Sequence, residues 1–286
     1  VILKDNLLKL KENNFKPHVD TNLQQTVEES LKQLGTTDSE LRDDLIYTQL
    51  SYWIIEGFLK EREIKHLKEK LICNEFLFYR IGEQGTDSIF KRSFSVLLLA
   101  PIMYIHNKKS IFSTEEVRAI INKTVDYMTK EIDLRGHVSG KGWAHSIAHT
   151  ADTLYQLIDH LNREDRIKVL NVISIKFSTH EYILKDEEDE RIVNVLVKII
   201  FKNRLKIEDF DAWLNDLSEV DASLDYEKQY TIKSNIKSLI RSLYLRISFL
   251  DKENFNIYLN SLGRVLQVID LSYYQFIKND LLIKMD

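Results

Sequence analysis

Residues 133–159 read DLRGHVSGKGWAHSIAHTADTLYQLID, and their two halves obey different rules. The first half holds Gly136, Gly140 and Gly142 ahead of Trp143. Glycine permits backbone conformations that other residues avoid, so this half reads as a shaped crossover. The second half reads as a helix. At about 100° per residue, Trp143, Ile147, Ala151, Leu154 and Ile158 return to one side and form a core stripe. His145, His149, Asp152 and Gln156 follow at i, i+4, i+7 and i+11, nearly opposite that stripe. Ala144 and Ala148 on one flank, with Ser146, Thr150 and Thr153 on the other, let a neighbouring backbone or a ligand come close.

Outward from this stretch the same helical period recurs. Residues 1–17 form a short helix ending before Pro17. Thr21 with Gln24, Thr37 with Glu40 and Ser113 with Glu116 have the spacing of capping boxes. They open helices to about Leu34, to Gly57 and through EEVRAIINKTVDYMTKEI. Leu41, Leu45, Ile46, Leu50, Trp53 and Ile54 fall at helical spacing. Another helix covers roughly 59–80, and IGEQGTDS (81–88) is a loop from which Thr86 or Asp87 caps IFKRSFSVLLLAPIMYI. Asn162 opens a helix to about Phe177. The acidic run Asp186 to Glu190 precedes RIVNVLVKIIF, where negative charge suits a helix N-terminus. Further helices are predicted near 207–218, 226–249, 252–268 and 271–284.

The composition agrees. Among 286 residues there are two prolines and eight glycines, too little turn punctuation for a strand-rich chain. The fold class predicted is all-α. Helix pairs about 40–50 residues apart suggest stacked antiparallel pairs in a HEAT- or armadillo-like superhelix. An irregular globular helical bundle is the alternative. No linker or composition shift divides the chain, so residues 1–286 read as a single domain.

Net charge is −4, which gives no basic excess and makes nucleic acid an unexpected partner. The one cysteine, Cys73, excludes an internal disulfide and a cysteine-based zinc site, and it reads as packing. Its context fits a reducing cytosol. The apolar run Phe94 to Ile105 falls short of the ~20 residues of a membrane span. The chain begins with Val1, and its amphipathic, lysine-rich start shows no signal peptide.

The spacing H-x3-H-x2-D carries the candidate chemistry. His145, His149 and Asp152 on one face could supply three ligands to a divalent metal such as zinc, leaving an open position for a metal-bound water. That arrangement would suit a hydrolase, although the Glu of H-E-x-x-H is missing. Without a metal, the same side chains could act as acid and base or hold a polar ligand. A third reading has them consumed by packing between helices. Arg135 and Lys141 would add charge beside a helix N-terminus that favours anions, but the spacing from Gly136 through Gly140 to Lys141 is not a phosphate loop. Lys233, Lys237 and Arg241 form one basic stripe. Tyr52, Trp53, Tyr244, Tyr273 and Tyr274 read as core or rim aromatics.

The stretch LRGHVSGKGWAHSIAHTADTL (134–154) resembles the hallmark of an uncharacterised bacterial family, domain of unknown function 2785. LRDDLIYTQLSYWIIEG (41–57), TDSIFKRSFS (86–95) and SNIKSLIRSLYLRI (234–247) resemble the same pattern in the same order. The resemblance implies a cytoplasmic, bacterial, all-helical protein and carries over no catalytic residues. It makes Asp87, Arg92, Ser93, Arg135, Trp143, His145, His149 and Asp152 the matching positions. In a stacked array, Asp87, Arg92, His145 and Arg241 could share one concave surface. The leading expectation is a helical-repeat protein that binds a small polar ligand, protein or peptide through Asp87, Arg92, Arg135, Trp143, His145, His149 and Asp152. Metal-dependent hydrolase and pure scaffold are the alternatives.

Overall fold

The structure, a computed structural model, describes residues 2–202, 204–250, 255–270 and 275–276. The chain divides into two compact units, Val1–Leu161 and Asn162–Asp286. No extended linker lies at this boundary.

In the first unit, α1 (Ile2–Glu12) and α2 (Leu23–Lys32) precede a π-helical stretch, Glu40–Tyr47, which runs directly into α3 (Thr48–Ile55). Then come α4 (Glu61–Leu71), α5 (Ser88–Lys109) and α6 (Thr114–Lys130). A short hairpin of β1 (His137–Val138) and β2 (Gly142–Trp143) leads into α7 (Ser146–Leu157) and a 3-10 turn, Ile158–His160. The apolar spacing over 41–54 anticipates a helix there. It does not distinguish the wider π-helical turn from an ordinary α-helical one.

The core is built around α5, which packs on α3, α4 and α7. It continues through Pro101 rather than breaking. An interior proline costs about 3 kcal/mol. Seventeen of the 22 residues of α5 are buried, and each fully buried large apolar side chain returns about 1.5–3 kcal/mol. Burial therefore outweighs the lost backbone bond. Among the described residues α5 is the one helix long and apolar enough to cross a membrane, and 89% of its apolar window is buried inside the protein. It is a core helix.

In the first unit α5 runs parallel to α7, the next helix but one. Along α5 and α7 the partners rise together in number: Phe94 with His149, Val96 with Thr153, and Asn107 with Gln156.

The second unit repeats this pattern with α8 (Arg163–Phe177), α9 (Glu188–Phe201), α10 (Ile207–Ser218), α11 (Tyr226–Ser248) and α12 (Asn256–Ile269). Here α8 packs on α10, α10 on α12, and α9 on α11. Arg163 pairs with Asp209 while the Trp213 indole donates to the Leu170 carbonyl. Asp189 accepts from Ser238 and Ser242, and Arg246 reaches Glu190 and Asn194. The acidic run is thus more than a helix-dipole device, because two of its members grip α11. A third, Glu188, is buried, and burial pushes its carboxyl pKa up.

The helical class predicted from composition holds, with the two-residue strands as an addition. Ser113 and Glu116 form the expected capping box, and Asn162 forms another with Asp165. Asn22 rather than Thr21 caps α2, and Asp38 rather than Thr37 accepts from the Leu41 N–H. Trp53 is core, its indole bonded to the Phe15 carbonyl. The Lys237 and Arg241 cations of the basic stripe share Asp270. Most of the predicted helix 271–284, with Tyr273 and Tyr274, lies outside the described residues, as does the start of the helix predicted over 252–268.

One buried histidine, His106, gives the first unit a pH dependence. The unprotonated His106 Nδ1 accepts the Phe112 N–H at 3.1 Å. Burial, then neighbouring His160, lowers the His106 pKa from its ordinary 6.5, while Glu116 pulls the other way. The folded state therefore takes up this proton less readily than the unfolded chain. The stabilisation is present above 6.5 and is lost as pH falls through the lowered value. Urea midpoints at pH 7.5 and pH 5 should show wild type losing more stability than His106→Asn, whose side-chain oxygen can accept the same N–H without titrating. Equal losses would remove His106 as the cause.

Candidate functional site

The glycine-rich segment forms the hairpin because its residues satisfy one another locally. His137 faces Trp143 and Val138 faces Gly142 across two antiparallel strands, and the Lys141 N–H closes the turn on the Val138 carbonyl at 3.0 Å. Beyond the strands, the Ala144 and His145 N–H groups donate to the Gly136 and Arg135 carbonyls at 2.9 and 3.0 Å. His145 then takes a left-handed conformation, φ 51° and ψ 40°, as the residue preceding α7. For a non-glycine residue this costs roughly 1–2 kcal/mol. The paired backbone around it over-determines the strained turn.

The hairpin rests on a buried cation that sequence reasoning missed. The Arg42 side chain is fully buried in the π-helical stretch, with its guanidinium 4.2 Å from the Phe90 ring centroid and 4.8 Å from that of Phe94. It donates to the Thr36 carbonyl at 2.6 Å and the Lys141 carbonyl at 2.8 Å, and pairs with Asp43 at 2.7 Å. Burial lowers the Arg42 pKa, opposed by Asp43. Burial likewise raises the Asp43 pKa, opposed by Arg42 and by the Trp143 N–H. Gly142 lies against this pair with φ +78°. The available signal was a charge beside the apolar positions of its helix: Arg42 next to Leu41, four residues before Ile46.

A second buried network holds the segment that leads into the hairpin. Arg92, expected at a ligand site, is instead fully buried and forked onto Glu131, with Nε and Nη2 at 2.6 and 2.9 Å from its two oxygens. It also donates to the Tyr79, Arg80 and Glu83 carbonyls and to Ser88 Oγ. Burial works against this cation, but Glu131 more than compensates, so the Arg92 pKa stands above its ordinary value. Arg135 forks onto buried Asp133 at 2.8 and 2.7 Å and donates to the Thr86 carbonyl. Asp133 also accepts the Gly85 N–H. Both arginines therefore hold backbone in place. Asp87 does not cap α5 with its side chain; it pairs with Lys141 at the surface, 2.7 Å away.

The helix after the hairpin departs from the predicted two-stripe pattern. Trp143 belongs to β2, outside the core stripe, and is 40% exposed. His145 precedes the helix in its left-handed turn, so the i, i+4, i+7 geometry does not carry through it. His145 and His149 are both buried, and Asp152 is half-buried. The His145 ring stacks under Trp143, 4.6 Å between centroids and 18° between planes. From there a file of edge contacts runs inward: His145 to His149 at 5.8 Å, His149 to Phe94 at 4.9 Å, and Phe94 to Tyr47 at 6.2 Å. His137 meets the outer end of the file edge-on to Trp143 at 5.0 Å.

Among the described residues no three His, Cys, Asp or Glu side chains are grouped to hold a metal ion. Of the expected His145, His149 and Asp152 set, the turn at His145 places its ring against Trp143 on one side and His149 on the other. The charges expected to meet an anion, Arg135 and Lys141, are committed to Asp133 and Asp87. Arg241 belongs to the second unit and pairs with Asp270.

A comparison with protein families matches residues 77–245 to the family described as Protein of unknown function (DUF2785). Searches of curated proteins and of solved structures give no match.

Proposed function

The chain belongs to the DUF2785 family, and on that premise we propose that it is a binding protein whose hairpin presents Trp143 to a polar small molecule or peptide. One observation carries this reading: a 40% exposed tryptophan is stacked on a histidine held in a strained left-handed turn. Strain of this kind persists where surrounding structure enforces it, and it concentrates at binding sites. Two buried ionic networks supply that enforcement here. Asp87 and Lys141 form a surface ion pair beside the hairpin, a kind worth about 0–1 kcal/mol. A ligand could exchange contacts with it at small cost.

The proposal extends to architecture. Stacking of helix pairs in the HEAT or armadillo manner, within each unit, is supported by the parallel packing of α5 on α7, α8 on α10 and α9 on α11.

A thermal-shift screen of polar metabolites and short peptides against wild type and Trp143→Ala tests the binding reading. Compounds that raise the melting temperature of wild type should lose that effect in the variant, because stabilisation follows site occupancy. Hits that stabilise both proteins equally, or no hits at all, would remove the hairpin as the site.

A further inference from the structure

Helices α2 and α4 line a cleft that shares no residue with the hairpin. The two helices are tied where Lys70 Nζ meets Glu28 at 2.6 Å, and His66 Nε2 lies 3.8 Å from the same carboxylate. Beside this tie is a cleft of ≈ 260 Å³. Its floor is apolar: Leu31, Leu59 and Leu67 are buried, and Val27 is half-buried.

The rim charges are unequally committed. Glu28 is neutralised by Lys70. Glu63 accepts the Lys60 N–H at 2.7 Å as part of the box that starts α4. Arg62 also lines the cleft and is exposed, and its guanidinium has no hydrogen-bond or ion-pair partner among the described residues. Apolar walls with a few polar and charged groups at the rim are the usual composition of a small-molecule site. A guanidinium is suited to gripping a carboxylate by two parallel hydrogen bonds.

We infer that the α2–α4 cleft binds an apolar monocarboxylate, its hydrocarbon body on Val27, Leu31, Leu59 and Leu67 and its carboxylate on Arg62. The body leaves water for the apolar floor, and the head engages the uncommitted charge of the rim. The volume suits a short or medium hydrocarbon chain.

Octanoate is the probe, titrated into the full chain by calorimetry, with octan-1-ol as the neutral counterpart. Wild type should bind octanoate more tightly than octanol. Arg62→Ala, at an exposed position, should weaken octanoate by about tenfold and leave octanol unchanged. Val27→Trp fills the cleft from a half-buried position and should abolish both. Trp143→Ala should leave octanoate binding intact, which separates this site from the hairpin. No octanoate binding, equal binding of octanol, indifference to Arg62→Ala or loss in Trp143→Ala would each overturn the assignment.

Discussion

Arg92→Leu should destabilise the protein by about 3–5 kcal/mol, the range seen when one member of a buried ion pair is removed. The substitution leaves Glu131 buried without its forked partner. It also strips a donor from the Tyr79, Arg80 and Glu83 carbonyls. Nearby Tyr127 cannot replace the lost cation, since a phenol ionises only to an anion. Burial, reinforced by the Glu131 carboxylate, drives its pKa well above the ordinary range and keeps it neutral. Urea unfolding followed by circular dichroism measures the loss. Arg92→Leu combined with Glu131→Leu should cost less than the sum of the two single changes, since the double variant leaves no lone charge. A single-variant loss below about 1 kcal/mol would mean that the pair is solvated and contributes as a surface pair does.

Gly142→Ala should cost about 2–5 kcal/mol, for two separable reasons. The left-handed backbone at φ +78° accounts for about 1–2 kcal/mol in any residue with a side chain. A Cβ there would also lie 2.6 Å from Ser39 Cβ, 3.0 Å from Arg42 Nη2 and 3.1 Å from Asp43 Oδ2. Arg42 cannot move aside without leaving the Thr36 and Lys141 carbonyls, so an overpacking cost of about 1–3 kcal/mol adds to the first. Gly140→Ala is the control. Its φ is +71°, but a Cβ would meet nothing within 4 Å. Urea midpoints that fall equally in the two variants would show that the close approach at Gly142 contributes nothing.

Local signals carried most of the fold. Ser113 and Glu116 announce α6 because a capping box is complete within four residues. The apolar density of Phe94 to Ile105 announces a buried helix because burial on every side leaves no polar stripe. The hairpin was legible only as glycine-rich irregularity. Its geometry depends on Arg42 and Asp43, about a hundred residues earlier in the chain. The His145 to Asp152 spacing does not describe one helical face, because the helical period applies only to residues inside the helix and His145 precedes α7. No count of intervals reveals the left-handed turn at His145 that sets it outside the helix. Arg92 and Arg135 likewise look like ligand-gripping cations in sequence. Their partners, Glu131 and Asp133, stand beside the glycine segment, and only burial shows them to be internal pairs.

The Arg42 contacts also set an order of events during synthesis. Its guanidinium donates to the Lys141 carbonyl, and more weakly to that of Trp143, 99 and 101 residues downstream. At about 5–20 residues per second, the ribosome makes Arg42 and Asp43 roughly 5–20 s before the backbone that completes their environment. Through that interval the Phe90 ring, once made, still lacks Val138 and Ala144, which pack on it. The hairpin surface is therefore among the last parts of the first unit to assemble, and a nascent chain halted before Trp143 exposes a half-built core.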